Sequence, residues 1–460
     1  MTLVQALARF AVSGSFDDLS GEAKRELKLR VLDSLGCAFG ALGAEPLKMV
    51  RSQLDDFGGV GHCTLLGGGG SAPPDRASFY NGALIRYLDF NDSYLAKGET
   101  CHPSDNLAPV LAAAEYAKGG GRDLLAALAV AYQVQCRLSD LAAVRDRGFD
   151  HTTQGSFAVA AGVARALGLD AERAAHAIAI SGTASNALRV TRTGKLSHWK
   201  GLAYANTSFV ATHAAFLAMR GITGPLEVFE GNKGFMEAIS GPFKIDWASE
   251  DLERVTRTIV KKYNAEIHSQ SAVEGVLELQ AEQGFAASLI ERIEVDIFDV
   301  AYNIIGGGQE GDKTHVATKE EADHSLPYIV AVALLDGQVM PEQYRPERIA
   351  RDDVQGLLTR VTVRPCEDYS RRFPDEMPCR LAVHSQGGRR VEREKRDYEG
   401  FLTRPLPWEK AVEKFERLAA PHCDAATRRE VIDAVAHLED IEVSDLVSVL
   451  RRESRADREA

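Results

Sequence analysis

The chain has 460 residues, 45% of them hydrophobic and 26% charged, with a formal net charge of −12. Those values describe an ordinary globular protein of two or three domains with a large core. The acidic excess argues against a nucleic-acid partner, which needs a basic stripe, and any anion site must be built from a few local cations.

The first residues, "MTLVQALARFAVSGSFDD", lack the basic start and sustained apolar core of a signal peptide. No apolar run approaches the roughly 20 residues of a membrane span. The seven cysteines (37, 63, 101, 136, 366, 379 and 423) are scattered, with no CxxC pair. This spacing predicts a reduced, cytoplasmic protein without a disulfide framework, a structural zinc or a clustered-thiolate iron–sulfur centre.

In chain order, apolar periodicity predicts a helix over 20–43, where Leu27, Val31, Leu32, Leu35 and Phe39 share a broad face. "LLGGGGSAPP" at 65–74 reads as a turn or loop. Further helices are predicted over 106–118, 122–140, 153–167, 171–188 and 201–219, rich in small residues that permit close packing. After about residue 268 the pattern changes. Ile293, Val295 and Ile297 alternate with Glu294 and Asp296, the signature of a half-buried strand. Val361 and Val363 mark a second strand, and "CRLAVHSQGGRRVEREK" two more joined at Gly387-Gly388. Helices are expected over 269–283, 319–336 and 347–358. The chain then returns to helices over 408–419, 425–437 and 442–452, before a charged tail, "RRESRADREA". The predicted fold is mainly α: a large all-helical domain, 1–267 with 402–460, and a smaller inserted α+β domain, 268–401. There is no internal repeat or low-complexity block.

Five segments could carry chemistry. "YLDFNDSYLAKGETCHPSDN" crowds Asp89, Asp92, His102 and Asp105 before a helix. Ser104 or Asp105 as a helix cap accounts for part of it, but capping needs no imidazole. In "GFDHTTQGS", His151 stands where a helix starts, with Thr152 or Thr153 as the natural cap. "RVTRTGKLSHWKG" gathers Arg189, Arg192, Lys195, His198 and Lys200 without an intervening acid; a solvated basic face is the alternative to a cleft wall. "KKYNAEIHSQSAVE" places Lys261, Lys262 and His268 at the change of pattern, and sites favour domain junctions. "EADHSLPY" sets His324, Ser325 and Tyr328 at the head of an apolar helix, where Tyr328 could equally be a core residue. A GxSxG elbow, a P-loop, a strand-borne GxGxxG and an HExxH are all absent from the sequence. The contiguous residues of "HPSD" cannot meet as a triad.

Together with "GPLEVFEGNKGF", these motifs resemble the MmgE/PrpD family, in order and over nearly the whole chain. That family includes 2-methylcitrate dehydratase and cis-aconitate decarboxylase. The resemblance implies a homodimer of propionate-type metabolism whose active site lies in the cleft between a helical and an α+β domain. It implies no metal and no organic cofactor, and a small polycarboxylate as substrate. Carried over by position, it makes Asp92, His102, His151 and Tyr328 catalytic. It assigns substrate contacts to Asp89, Lys195 or Lys200, Lys262 with Lys261 as the alternative, His268 and His324. The implied reaction is dehydration of a citrate-like acid. Decarboxylation or isomerisation of a related acid, and an inactive polycarboxylate-binding protein on the same fold, are the other readings. Without a metal, lysines and histidines must neutralise the carboxylate next to the forming carbanion.

Overall fold

A computed structural model of the protein describes residues 1–68 and 70–452, so most of the charged tail lies outside the described residues. The chain groups into two compact units. One comprises Met1–Arg189, Gly201–Thr258 and the segment from Pro407 onward; the other comprises Val190–Lys200 and Ile259–Leu406. The basic stretch 190–200 and residues 259–267 thus belong to the second unit, a placement that periodicity does not carry.

The first unit is built on helices, among them Leu3–Ser13, Gly21–Gly40, Pro74–Tyr87, Leu107–Ala117, Gly121–Leu141, Thr152–Ala166 and Ala171–Ala184. Local chemistry starts several of them. Thr2 and Gln5 close a capping box, Ser20 accepts from the Ala23 amide, and Asp170 accepts from Arg173. Close packing rests on small side chains: a Cβ on Gly162 would lie 2.9 Å from both Ala131 Cβ and Val110 Cγ2. The unit is not purely helical. Two-residue ribbons pair Cys63–Thr64 with Ser71–Ala72, the second of which falls inside the predicted loop, and Tyr94–Leu95 with Thr100–Cys101.

The C-terminal helices Trp408–Ala419, Ala425–Ala436 and Val443–Leu450 complete this unit. Lys414 bridges to Asp33 at 2.7 Å and donates to the Phe90 carbonyl at 2.8 Å. Lys28 pairs with Glu439 at 2.8 Å, and the Gly121 amide donates to Ile441 O at 2.8 Å.

The second unit carries a four-stranded sheet in the order Val361–Pro365, Ile290–Ile297, Cys379–Ser385, Arg389–Lys395. The first pair is parallel and the other two antiparallel. Ile293, Val295 and Ile297 are buried as their alternation predicts. Gly387 and Gly388, at φ 80° and 76°, make the hairpin turn, a conformation that glycine adopts without steric cost. Helix Gln270–Gln283 packs on the sheet, with Gly275 against Leu381. The predicted helix 319–336 is two helices, Lys319–Ala322 and Leu326–Asp336. Ser325 restarts the second by accepting from the Tyr328 amide at 3.1 Å, and the break leaves Asp323 and His324 on a turn. The predicted 347–358 divides likewise into Pro346–Ile349 and Asp352–Leu358.

Candidate active site

In the first unit, the turn from Asp89 to Asn106 folds inward and is buried almost throughout. Ser104 and Asp105 are not helix caps. The Ser104 amide and hydroxyl both donate to Asp92 Oδ1, at 3.0 and 2.6 Å. Asp105 accepts from Asn91 at 2.8 Å and lies 3.6 Å from Arg86 Nε. Asp89 sits at φ 53°, a left-handed conformation that Asp tolerates better than most residues, and its carboxylate pairs with Arg86 at 2.7 Å. Asp89 and Asp92, close in sequence, therefore have separate partners. Burial raises the Asp92 carboxyl above the usual carboxylate range, although Arg30 at 3.8 Å and the Ser104 and Tyr132 hydrogen bonds oppose it.

His102 is held by the Asp92 main chain rather than by its carboxylate. Its Nδ1 is 2.8 Å from the Asp92 carbonyl and 3.1 Å from Ser93 Oγ. A carbonyl can only accept, so Nδ1 carries the proton and Nε2 is the basic nitrogen of the neutral ring. His151 opens helix Thr152–Ala166 with its Nδ1 3.2 Å from Asp150 Oδ1. Asp150, not a threonine, satisfies the start of that helix, accepting from the Thr152 amide at 3.2 Å. Arg189 lies 3.7 Å from its other oxygen. The two imidazoles stand edge to face with centroids 5.4 Å apart, and His151 stacks 6.2 Å from Tyr204. Tyr204 is fixed in turn: its hydroxyl faces Asn106 Oδ1 and Gln135 Oε1, each at 3.0 Å, and its ring lies over Gly155.

In the second unit, two buried carboxylates organise the basic groups. Asp323 is met by Lys200, Lys319 and His324, each at 2.7 Å. Burial opposes its ionisation, but Lys200, Lys319 and His324 hold its carboxyl well below the usual range. Glu266 accepts from His268 Nδ1 at 2.7 Å and from the His268 amide at 2.8 Å. Burial again opposes, and His268, with His324 and Lys261, brings Glu266 down to about 2. His268 packs beside the rings of Phe298 and Phe373, at 5.6 and 5.7 Å, which stack on each other at 4.4 Å.

The lysines separate clearly. Lys200 and Lys261 are buried, whereas Lys195 is exposed. Lys262 turns to an acidic patch, 2.7 Å from Glu399 and 3.2 Å from Glu274. Glu399 and Glu274 hold its ammonium above the ordinary range against partial burial. Tyr328 is fully buried and donates to the Gln343 carbonyl, and burial raises its phenol. Its position is that of a core tyrosine.

Asp150, Glu266 and Asp323 were absent from the sequence-derived set, yet each holds a histidine. Their signal is legible afterwards: each precedes its histidine by one or two positions, in "FDH", "AEIH" and "ADH".

Comparison with known proteins matches two consecutive stretches of the chain, whose bounds differ from those of the two compact units. The MmgE/PrpD N-terminal domain matches residues 5–248, and the MmgE/PrpD C-terminal domain matches 263–440. Cis-aconitate decarboxylase of Mus musculus is 27% identical over 443 residues, covering 91% of this chain and 87% of that protein. The 2-methylcitrate dehydratase of Cupriavidus necator is 29% identical over 374 residues, covering 75% and 73%. That of Salmonella typhimurium is 30% identical over 351 residues, covering 70% and 69%. With both family domains matched in order across the two stretches that carry these clusters, the chain belongs to the MmgE/PrpD family.

Proposed function

We propose that the protein is a lyase that dehydrates 2-methylcitrate or a related citrate-like tricarboxylate by acid–base chemistry. The observation that carries this reading is the buried His102–His151 pair, each ring anchored through Nδ1 so that Nε2 is the working nitrogen. Dehydration needs a base for a proton next to a carboxylate and an acid for the departing hydroxyl. The C–H electron pair becomes the new C=C bond as the C–O bond breaks. The hydroxide leaves as water with the proton that the acid supplies. His102, on a neutral carbonyl, suits the base. His151, against the Asp150 carboxylate, suits the imidazolium that gives a proton. Buried Lys200 and Lys261 are our candidates for neutralising substrate carboxylates. Tyr328, bonded to a carbonyl, is a weaker candidate for proton transfer than either histidine.

The mouse relative, which is matched over more of this chain than the two dehydratases, favours a second reading. In decarboxylation of cis-aconitate, the C–C bond to a carboxylate breaks and its electron pair takes a proton as carbon dioxide leaves. One assay separates the two. Purified protein is incubated with 2-methylcitrate, citrate and cis-aconitate, while ultraviolet absorbance follows the unsaturated acid and released carbon dioxide is trapped. Unsaturated product from a citrate supports dehydration; carbon dioxide from cis-aconitate transfers the proposal to the decarboxylase. Tight binding of all three without turnover would leave an inactive binding protein.

A further inference from the structure

His102 and His151 stand on separate turns of the first unit, and one carboxylate ties those turns together. Glu99 lies in the turn between Tyr94–Leu95 and Thr100–Cys101, three residues before His102, and is only 1% exposed. Its Oε1 accepts from the Thr100 amide at 3.2 Å, on its own ribbon. Its Oε2 accepts from the amides of Val144 and Arg145, at 3.3 and 3.1 Å, on the turn that leads to His151. That turn is pinned further along as well. The Phe149 amide donates to the Val144 carbonyl at 3.2 Å, and the Asp150 amide to the Ala187 carbonyl at 2.9 Å.

Charge follows the same path. Arg145 Nη2 lies 3.5 Å from Glu99 Oε1, and Arg189 Nη1 lies 3.7 Å from Asp150 Oδ2. Burial raises the Glu99 carboxyl; Arg145 and Arg189 oppose this, and Asp150 adds to it. Two buried acids, Glu99 and Asp150, thus share two half-buried guanidiniums, Arg145 and Arg189, and the four charges sum to zero. His151 meets this cluster through Asp150, 3.2 Å from its Nδ1. The other groups against its ring are His102, edge to face, and Tyr204, stacked on it. Without the Glu99 charge, both arginines would draw on Asp150 alone, and the surroundings of His151 would become net positive. A positive field disfavours an imidazolium.

We propose that Glu99 is a positioning residue for His151. It offsets the arginines that share Asp150, so that the Asp150 carboxylate remains available to sustain the His151 imidazolium. It also holds the turn of His102 against the turn of His151. The use made of the His151 proton rests on the lyase reading above; the balance of charge does not.

The test uses the full chain, with its histidines carbon-13 labelled at Cε1 and the His151 signal identified by its loss in His151→Gln. The titration midpoint of His151 is followed by nuclear magnetic resonance in wild type, Glu99→Gln, Glu99→Asp and Arg145→Gln. Glu99→Gln keeps the length and removes the charge, and should lower the midpoint by about one pH unit, a tenfold loss of proton affinity. Glu99→Asp keeps the charge and should leave the midpoint near that of wild type. Arg145→Gln should move it upward. Circular dichroism and melting temperature check folding. A midpoint that stays in place in Glu99→Gln, or that Glu99→Asp lowers as far as Glu99→Gln does, overturns the proposal, because a purely structural acid would behave so. Should Glu99→Gln fail to fold, Arg145→Gln decides, and an unmoved midpoint there overturns it. Steady-state kinetics on whichever acid turns over separate this from the lyase reading. In Glu99→Gln the alkaline limb of the kcat profile should move down with the midpoint, with KM little changed. If no acid turns over but the midpoint moves as expected, the lyase reading falls and the charge balance stands. If turnover is found and the midpoint is unmoved, the reverse holds.

Discussion

His102 and His151 are distinguished by what holds their Nδ1 atoms, a main-chain carbonyl in one case and a carboxylate in the other. The difference is testable one side chain at a time. His102→Gln should fold normally and lose turnover by about 10² to 10⁴, the usual worth of a positioned proton-transfer group. Steady-state kcat with a circular dichroism control checks it, and full turnover would remove His102 from the chemistry. Asp150→Asn keeps the shape but removes the charge behind His151. It should lower kcat more than it changes KM and shift the pH–rate profile. The lysines make an equally sharp contrast. Lys262 is committed to Glu399 and Glu274, so Lys262→Ala should leave KM within about twofold, because a partly exposed ion pair contributes little. Lys261→Ala, at a fully buried position, should raise KM far more. Equal effects from both would refute the assignment. The sequence made both histidines and the lysine pair visible, but not which lysine turns inward. That choice depends on Gln270 accepting the amides of Lys262 and Tyr263, each at 3.0 Å, a contact across eight residues that no local pattern encodes.

At the scale of elements, the strongest sequence signals were those with a single buried face. Strand Ile290–Ile297 alternates as its residues demand, and the Gly387-Gly388 turn fixes its neighbours' register. Legibility fails where side chains compete with helix geometry. The predicted 319–336 helix is interrupted because Ser325 and Pro327 begin a new one, and the interruption presents Asp323 and His324 together. The turn before Leu107 was equally opaque: Ser104 has the composition of a cap, yet spends both its donors on Asp92. Helix Gly121–Leu141 gives an element-scale prediction. A Cβ on Gly121 would lie 1.6 Å from the Leu438 carbonyl oxygen, which is backbone and cannot step aside cheaply. Gly121→Ala should therefore cost about 3 kcal/mol or more of stability. Thermal unfolding measures it, and a melting temperature equal to wild type would show that the C-terminal segment is not seated there.

For the whole molecule, pH sensitivity follows from buried acids of opposite behaviour. Glu266 and Glu274 are each drawn down to about 2 in the folded protein. Their stabilising contribution is present above the ordinary glutamate range, near 4.3, and is lost as pH falls toward 2. Asp92 and Glu99 are raised instead, so their ionisation disfavours the fold and acid relieves it. Glu266→Gln should therefore flatten the fall in stability between about pH 4.5 and 2, as read by denaturant midpoints across that window. An unchanged profile would mean that Glu266 is not charged in the fold. The architecture also sets a schedule for biosynthesis. The first unit is interrupted by residues 259–406 and is closed only by the helices after Pro407, through Lys414 on Asp33 and Glu439 on Lys28. A ribosome adding about 5–20 residues per second therefore leaves the amino-terminal helices unsealed for on the order of ten seconds. During that interval the apolar surface that Phe415 and Leu418 will cover is open to water, so chaperone dependence and sensitivity to premature termination are built into the order of the chain.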